Sequence, residues 1–460
     1  ICGLALLSCY RKDYENEKTS AGRVLEQEMN LKERTETKAD ADAENAADAE
    51  NAADAENAAD SENETKAENA ADAENAANAG NAAALQGKTE DRMIRVLIRN
   101  DNFAGKYHSS FRVTGTTEFY VTDNKSKRCC PAGQVITMTE GTELLIEPKE
   151  AEGQLVLPDL LRGQEQPAYT GTLEVHKEEQ GFLVINELPL EDYLPSVLSS
   201  EMSASFPEEA LKAQAICART YAINEMKKEK TENYGADLDD STAFQVYNNY
   251  EKNNKTMDAV KETAGIVLKN NSSMAEVFYY STSSGAQEED GLSAEADFEK
   301  FIEEPRKTDL ESEEVWYRWS TQIAPEEVRD NLADLQMKDP GEIIGLDITR
   351  RLENGRAEEL LIEGSQSRLT VLGEYDIRAV LTPKGCDVIL QDGSSVSAPG
   401  LLPSAWFEIK QQSGEYVLLG GGYGHGNGLS QNGAKCMALS GKNCEDILKF
   451  YYRDAQLGGI

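Results

Sequence analysis

The sequence has little histidine, a deficit of basic residues and no long apolar run. Its three histidines, His108, His176 and His425, lie far apart, and none of the eight cysteines forms a C-x-x-C pair, so the spacing predicts no structural zinc site. Lys plus Arg number 46 against 83 Asp plus Glu, and the net charge of -37 argues against binding to nucleic acid. No run reaches the ~18 apolar residues that a membrane-spanning helix needs, which excludes a polytopic membrane protein.

The first ten residues, ICGLALLSCY, have the composition of the end of an export segment. They are apolar, but they include neither an initiating Met nor a basic leader. Two interpretations remain open: the end of a signal anchor, or a lipoprotein cleavage site in which Cys9 is lipidated. Either one predicts an extracytoplasmic protein that is tethered to the cell membrane through its N-terminus only.

Residues 11–90 are rich in Ala, Asp, Glu and Asn, and the unit AENAAD recurs from Ala43, Ala49, Ala55 and Ala67. The unit contains no large apolar residue, so it cannot bury enough surface to offset the entropy of folding. Its period of six also differs from the spacing of roughly 3.6 residues in a packed helix. This segment is therefore predicted to be a disordered, extended acidic spacer.

From Met93 onward the sequence consists of short alternating apolar and polar segments, such as MIRVLIRN and TEFYVT, which predict β-strands. We divide this part into a β-rich region over residues 93–170 and a second domain over residues 171–460. Within the second domain, residues 286–345 are acidic and predicted as helix or loop, and a last helix closes the chain. Because no βαβ rhythm is present, the order of elements predicts an α+β fold with mostly antiparallel sheets.

The clearest predicted helix opens at Pro207, with Ser205 as its cap. One buried stripe is predicted from residues that recur every three or four positions: Leu211, Ala215, Ala218, Ala222 and Met226. The helical neighbours of Arg219 are apolar, so this side chain either extends to solvent or is held in a cleft by an acid.

Glu201 lies between an apolar run and the start of this helix. A carboxyl group in such a setting loses hydration, which raises its pKa and keeps it protonated near neutral pH. In that state it can donate a proton to a leaving oxygen. The alternative interpretation is that Glu201 only marks the start of a helix.

A second candidate is the glycine-rich segment GGGYGHGNGLSQ at residues 420–431. Its glycines permit positive φ angles and close approach of a ligand, so His425 is either a ligand-contacting group or a turn residue. The helix-opening order G-x-G-x-x-G after a strand is missing, which excludes a dinucleotide site. A Ser430–His425 nucleophile stays open, although no G-x-S-x-G elbow surrounds Ser430.

These segments together resemble the family of stage II sporulation protein D and the related amidase enhancers. The resemblance covers residues 175–457. It is carried by LPLEDYLPSVLSSEMSASFPEEALKAQAICARTYA and by GGGYGHGNGLSQNGAKCMALSGKNCEDILKFYY, with QVY, AGIVL and FYYSTSSG between them in the family's order. It implies a lytic transglycosylase that acts on peptidoglycan glycan strands already stripped of stem peptides.

The resemblance also implies roles for individual residues. By position, Glu201 is the catalytic acid, and Arg219 lies in the cleft, where it positions Glu201 or meets a substrate carboxylate. Lys300 follows from a match at Phe298-Glu299-Lys300. The other residues implied in substrate binding or in the cleft scaffold are Tyr247, His425, Ser430 and Gln431.

The sequence departs from the family pattern at three places. Ser203 replaces the usual Pro after the Glu-Met pair, which is expected to loosen the loop holding Glu201. Phe298 replaces a Tyr, which puts a hydroxyl contact in doubt. The YSTSSG segment at residues 280–285 lacks the His and Cys ligands with which some family members bind zinc, so we predict no metal and no other cofactor.

Two functions of different class follow. The preferred one is a lytic transglycosylase that cleaves MurNAc-GlcNAc bonds to 1,6-anhydro products during engulfment in sporulation. Its partners would be glycan strands, a cell-wall amidase and other engulfment proteins. The alternative is a non-catalytic, glycan-binding enhancer of an N-acetylmuramoyl-L-alanine amidase, and a cell-wall-anchored structural domain is a third, simpler interpretation.

Overall fold

The computed structural model describes residues 92–460 except 125, 140–141, 163–164, 231–232, 250–252, 288–289, 305 and 398–399. The predicted export segment at residues 1–10 and the predicted spacer at residues 11–90 therefore lie outside the described residues. Among the described residues, no helix combines the length and the apolar character that crossing a membrane requires.

The strands of the first half of this part are short and mostly alternate in burial. They are β1 (Met93–Ile98), β2 (Arg112–Gly115), β3 (Phe119–Thr122), β4 (Lys127–Cys130), β5 (Ile136–Thr137), β6 (Glu143–Pro148), β7 (Leu155–Val156), β8 (Ala168–Tyr169), β9 (Thr172–Glu178), β10 (Gly181–Pro189), β11 (Leu238–Asp239) and β12 (Ile266–Asn270).

The second half contributes β13 (Ser273–Met274), β14 (Tyr279–Tyr280), β15 (Trp319–Ile323), β16 (Ile343–Arg351), β17 (Ala357–Gly364), β18 (Arg368–Leu372), β19 (Val388–Leu390), β20 (Ser395–Val396), β21 (Phe407–Gln412), β22 (Glu415–Gly420), β23 (Leu429–Ser430) and β24 (Gln456–Gly459). The helices are α1 (Leu190–Glu201), α2 (Glu208–Lys227), α3 (Asn254–Glu262), α4 (Glu295–Glu303), α5 (Pro325–Asp334), α6 (Glu374–Val380), α7 (Gln431–Leu439) and α8 (Cys444–Tyr451).

The largest sheet has seven strands in the order β11-β1-β10-β9-β6-β3-β4. A five-stranded sheet has the order β20-β19-β15-β22-β21, and β16-β17-β18 form a separate three-stranded sheet. The pairs β1–β11 and β14–β23 are parallel, whereas the other ladders between these strands are antiparallel. The prediction of an α+β fold with mostly antiparallel sheets is confirmed.

The seven-stranded sheet contains strands from both sides of residue 170. Strand β1 pairs with β10 along its whole length, from Met93 with Pro189 to Ile98 with Val184, and β6 pairs with β9. The division into residues 93–170 and 171–460 stays a prediction, and backbone pairing joins the strands on its two sides.

Helix α2 lies at the centre of the elements that carry the candidate site. It packs against α1, α3, α7, α8 and β12. Leu211, Ala215, Ala218 and Ala222 are fully buried as predicted, while Met226 is half-buried. Polar residues on its other faces are buried as well, so the helix is enclosed rather than amphipathic.

Three local predictions differ from the structure. Ser205 does not cap α2, because its hydroxyl bonds with that of Ser203 at 2.8 Å and Pro207 precedes the first turn. The acidic region 286–345 contains the strand β15 in addition to helices, because Trp319 and Ile323 alternate into the core of the five-stranded sheet. The predicted last helix is two helices, since Asn443 accepts the backbone N–H of Asp446 and starts α8.

The β16-β17-β18 sheet offers a matched test of core packing. Ile362 on β17 is fully buried in the core cluster around this sheet, whereas Ile344 on β16 is 63% exposed. We expect Ile362→Ala to lower the free energy of unfolding by about 2–5 kcal/mol, because it removes buried methyl groups and leaves a cavity. Urea denaturation should show little change for Ile344→Ala; equal losses in both variants would contradict this packing.

Candidate active site

Glu201 is the last residue of α1, and its side chain points into the protein. It is 3% exposed. Its Oε1 accepts a hydrogen bond from the backbone N–H of Val246 at 2.8 Å, whereas Oε2 has no hydrogen-bond partner among the described residues. The carboxyl group is therefore held by one oxygen and leaves the other uncommitted.

Burial raises the pKa of Glu201 to about 8, and the hydrogen bond from Val246 only partly opposes this. The C-terminal end of a helix carries partial negative charge, which also disfavours a carboxylate at this position. Because Oε1 accepts a hydrogen bond, Oε2 is the oxygen that carries the proton. At neutral pH this group is a carboxylic acid.

Arg219 is fully buried on α2, and its guanidinium is saturated within the protein. Nε and Nη2 donate to the two carboxylate oxygens of Glu191, each at 2.8 Å. The remaining N–H groups donate to the Val260 carbonyl at 3.1 Å, to the Ile266 carbonyl at 3.2 Å and to the Thr263 hydroxyl at 3.4 Å. A guanidinium has five N–H groups, so none remains for a ligand in this conformation.

The acid that holds Arg219 is therefore Glu191 and not Glu201, and the predicted positioning of Glu201 by Arg219 is indirect. Glu191 lies in the first turn of α1 and Glu201 at its end. The rise of about 1.5 Å per residue separates the two Cα atoms by roughly 15 Å. Arg219 acts on Glu201 only by fixing the helix that carries it.

The QVY segment contributes to the site through different atoms from those predicted. The Tyr247 side chain is fully buried: its hydroxyl donates to Asn186 Oδ1 at 3.0 Å, and its ring packs 4.9 Å from that of Tyr193. The predicted contact of this side chain with substrate is thus not available in this conformation. The segment instead supplies the Val246 N–H that binds Glu201.

The glycine-rich loop is shaped by residues in the left-handed region. Gly422, Gly424, Gly426 and Gly428 all have positive φ. Each lacks room for a side chain, and at Gly426 a Cβ would overlap the Trp406 ring. The loop therefore needs glycine for both conformation and space.

His425 is buried inside this loop and acts as a scaffold residue. Its Nδ1 accepts the backbone N–H of Asn427 at 3.1 Å, so Nε2 carries the proton and donates to the Tyr279 carbonyl at 3.1 Å. Burial lowers the pKa of His425 to about 3, with Arg378 and Arg356 adding to the effect. The imidazole is therefore neutral and joins the loop to β14.

Ser430 and Gln431 lie where the loop enters α7. Ser430 is fully buried and caps α7 by accepting the Gly433 N–H, while its hydroxyl donates to Glu311 Oε2 at 2.7 Å. Both ring nitrogens of His425 bind backbone groups and the Ser430 hydroxyl donates to Glu311, so the Ser430–His425 nucleophile is not formed in this conformation. Gln431 is 5% exposed, and its Nε2 has no partner among the described residues.

Lys300 is an exposed residue of α4. Phe298 on the same helix is fully buried and packs with Phe301 and Trp406. Arg351 lies over the Phe298 ring at 3.9 Å. The Phe298-Glu299-Lys300 segment therefore anchors α4 through Phe298, and a contact of Lys300 with substrate stays a prediction.

Glu311 is a buried acid that the sequence analysis did not select. It is 4% exposed, lines a cavity of about 640 Å³ and accepts hydrogen bonds from Ser283 N–H and the Ser430 hydroxyl. In sequence it is one acid among several in an acidic region, next to Glu313 and Glu314. Glu311 differs from these acids only because the folded chain brings Ser283 and Ser430 within hydrogen-bonding distance of it.

A series of hydrogen bonds connects the predicted segments with one another. Glu201 binds Val246; the neighbouring Gln245 donates from Nε2 to the Tyr279 hydroxyl, and the Tyr279 carbonyl accepts from His425. Tyr280 and Gly426 then line the cavity that contains Glu311. Glu201 itself is not among the residues lining this cavity.

Two groups of side chains have a spacing that a metal ion could use: Glu143 with Glu174 and His176, and Glu299 with Glu303 and Glu408. Each group already holds a cationic side chain: Arg95 bonds Glu174 at 2.7 Å, and Lys410 Nζ lies within 3.6 Å of all three glutamates of the second group. The absence of a metal cofactor stays a prediction.

Comparison with known proteins identifies the family. A family model described as "Stage II sporulation protein" matches residues 178–269, and a domain of unknown function matches residues 281–428. Stage II sporulation protein D of Bacillus subtilis (strain 168) is 31% identical over 289 residues, covering 59% of this chain and 75% of that protein. The amidase enhancer of the same organism is 29% identical over 289 residues, covering 56% of this chain and 39% of that protein.

A third similar protein, from Brachyspira hyodysenteriae, is 28% identical over 290 residues, covering 63% of this chain and 72% of that protein. The antiparallel α+β fold, with a protonated carboxyl at a helix end, defines a protein whose site suits acid chemistry. The chain belongs to the stage II sporulation protein D family.

The role of Arg219 can be tested by stability. We expect Arg219→Met to lower the free energy of unfolding by ~3 kcal/mol or more, because it leaves buried carbonyls and Glu191 without their donor. Arg329→Met is the matched control, since Arg329 makes a similar bidentate pair with Asp339 on the surface, where solvent screens the interaction and such pairs contribute little to stability. Similar losses in both variants, measured by urea denaturation, would contradict the structural role of Arg219.

The raised pKa of Glu201 predicts a pH-dependent stability. The folded protein binds the proton of Glu201 more tightly than the unfolded chain does. The contribution of this proton to the free energy of unfolding is therefore fully present below pH 4.5 and is lost as the pH rises to about 8. Wild-type stability should therefore fall relative to Glu201→Gln across this window. Glu313→Gln, at an exposed position, should leave the pH profile unchanged. Parallel profiles of wild type and Glu201→Gln would show that Glu201 ionises normally.

Proposed function

We propose that this protein is a lytic transglycosylase that cleaves MurNAc-GlcNAc bonds of peptide-free peptidoglycan strands to 1,6-anhydro products. The observation that carries the proposal is the carboxyl of Glu201, which is protonated at neutral pH, fixed at Oε1 and uncommitted at Oε2. Relatives named for stage II of sporulation support a role in sporulation, and engulfment is the step we propose.

In the proposed mechanism a single carboxyl acts twice. The proton on Glu201 Oε2 passes to the glycosidic oxygen as the bond from that oxygen to C1 of the muramic residue breaks, with an oxocarbenium-like transition state. The O6 hydroxyl of the same residue then attacks C1, and its proton passes to the Glu201 carboxylate. The acid is regenerated, and no water is consumed.

A second candidate function is supported by two observations. One relative is named an amidase enhancer, and Glu201 is 3% exposed and absent from the lining of the 640 Å³ cavity. A non-catalytic protein that binds glycan and stimulates an N-acetylmuramoyl-L-alanine amidase would need the cavity but no access to Glu201. The partners proposed in that case are glycan strands, the amidase and other engulfment proteins.

We further propose an extracytoplasmic location, tethered to the cell membrane. The apolar composition of residues 1–10 and the acidic, repetitive composition of residues 11–90 support it. Under either function, such a tether would hold the folded part close to the cell wall.

Digestion of peptide-free glycan strands distinguishes the two functions. We expect wild-type protein to release 1,6-anhydro products, and Glu201→Gln to release them at least ~100-fold more slowly, because general acid catalysis is lost. Products are identified by mass spectrometry, and Glu313→Gln serves as the control. If wild-type protein yields no anhydro products but accelerates amidase turnover, the enhancer function is correct instead.

A further inference from the structure

The cavity of about 640 Å³ has walls of mixed aromatic and polar character. Tyr280 and the end of α8, with Phe450, Tyr451 and the following Tyr452, supply aromatic rings, and Phe450 is 46% exposed. Asn354 supplies an amide group. The volume falls within the range typical of small-molecule sites, and aromatic faces with convergent polar groups suit a sugar ring.

Glu311 lines this cavity, and only one of its two carboxyl oxygens is engaged by hydrogen bonds from the described part of the protein. Oε2 accepts two hydrogen bonds: Ser283 N–H donates at 2.8 Å and the Ser430 hydroxyl at 2.7 Å. Oε1 accepts neither of these hydrogen bonds, so it is available to bind a ligand in the cavity that Glu311 lines. Gly433 provides the space, since a Cβ at that position would collide with Glu311 Oε1 and the Tyr451 hydroxyl.

The protonation state of Glu311 follows from its surroundings. Burial raises its pKa to about 8, and the nearby Glu314 adds to this, while Lys435 and the two hydrogen bonds oppose it. The other titratable groups facing it are Tyr280, Tyr451 and Cys436, and burial raises the pKa of each above its ordinary value. At neutral pH the proton therefore lies on Oε1, where it can be donated into the cavity.

The charge of the cavity limits the chemistry of its ligand. Besides Glu311, the lining carries the carboxylates of Glu276, Asp309 and Asp454 and the cations of Arg306 and Arg453. Arg306 is engaged by Asp309 and by Asp290. Cations thus do not exceed carboxylates, which disfavours a polyanion and favours an uncharged, hydroxyl-rich ligand.

We propose that this cavity binds an uncharged N-acetylglucosamine unit of the glycan, and that Glu311 donates a hydrogen bond from Oε1 to an oxygen of that sugar. This inference rests on the glycan substrate of the proposed function, but not on cleavage by Glu201. Glu311 is a binding residue whose protonated form is the competent one.

Binding of the N-acetylglucosamine tetramer, measured by calorimetry on the full chain carrying Glu201→Gln, tests this inference without turnover. We expect the dissociation constant to rise about tenfold between pH 6.5 and pH 9.5, a loss of ~1.4 kcal/mol, as Glu311 loses its proton. Adding Glu311→Gln should keep binding within about threefold at pH 6.5 and abolish the pH dependence, because the amide still donates. Adding Glu311→Leu should weaken binding at both pH values.

Glu313→Gln in the same background is the control and should retain the pH dependence of the parent. Thermal melting at both pH values verifies that each variant is folded. The inference is overturned if Glu311→Gln keeps the pH dependence, if Glu311→Leu binds as tightly as the parent, or if binding tightens as the pH rises. If wild-type protein releases no anhydro products in the digestion assay while the tetramer still binds, the transglycosylase is refuted and this site remains in place.

Discussion

The saturated guanidinium of Arg219 is the interaction on which the candidate site depends. Its hydrogen bonds join the start of α1, through Glu191, to the end of α3 and to β12, while its own helix α2 lies between them. A buried cation needs such complete pairing, because an unpaired one would be strongly destabilising. The same contacts fix α1, and α1 places Glu201 where Val246 can bind it. Arg219 thereby determines the orientation of the acid without touching it.

The carboxyl groups of Glu201 and Glu311 have raised pKa values for the same reason, but their surroundings differ. Burial disfavours the charged form of both Glu201 and Glu311. Glu201 has one backbone donor and an uncommitted oxygen inside the protein, which suits proton transfer. Glu311 has two donors on one oxygen and a cavity beside the other, which suits recognition. Under these proposals, Glu201 would transfer the proton and Glu311 would recognise the sugar. The two residues are linked through β14 and the glycine-rich loop.

Much of the fold could be predicted from the sequence because its signals are local. Alternation identified strands such as β1, and the positive φ angles of the 420–428 loop followed from its glycines. The buried setting of Glu201 could also be anticipated, since it adjoins an apolar run. The resemblance assigned Tyr247 to the substrate, whereas the structure buries it in the core, because the local sequence Gln245-Val246-Tyr247 does not distinguish a core tyrosine from a cleft tyrosine. The Asn443 cap that divides the last helix was missed for a similar reason: helical periodicity continues on both sides of it.

By itself, the sequence determined the family, the α+β class, the presence of helix α2 with its buried stripe, and the two segments that carry Glu201 and His425. The fold class and the helix follow from short-range periodicity, whereas the family follows from the motifs that carry the resemblance. Tertiary structure alone decided that Arg219 pairs with Glu191, that His425 is a neutral scaffold, and that Glu311 stands out from the acids beside it. Each of these outcomes depends on which groups, distant in sequence, are buried next to one another. Desolvation and hydrogen bonding depend on distance in space and not on separation along the chain.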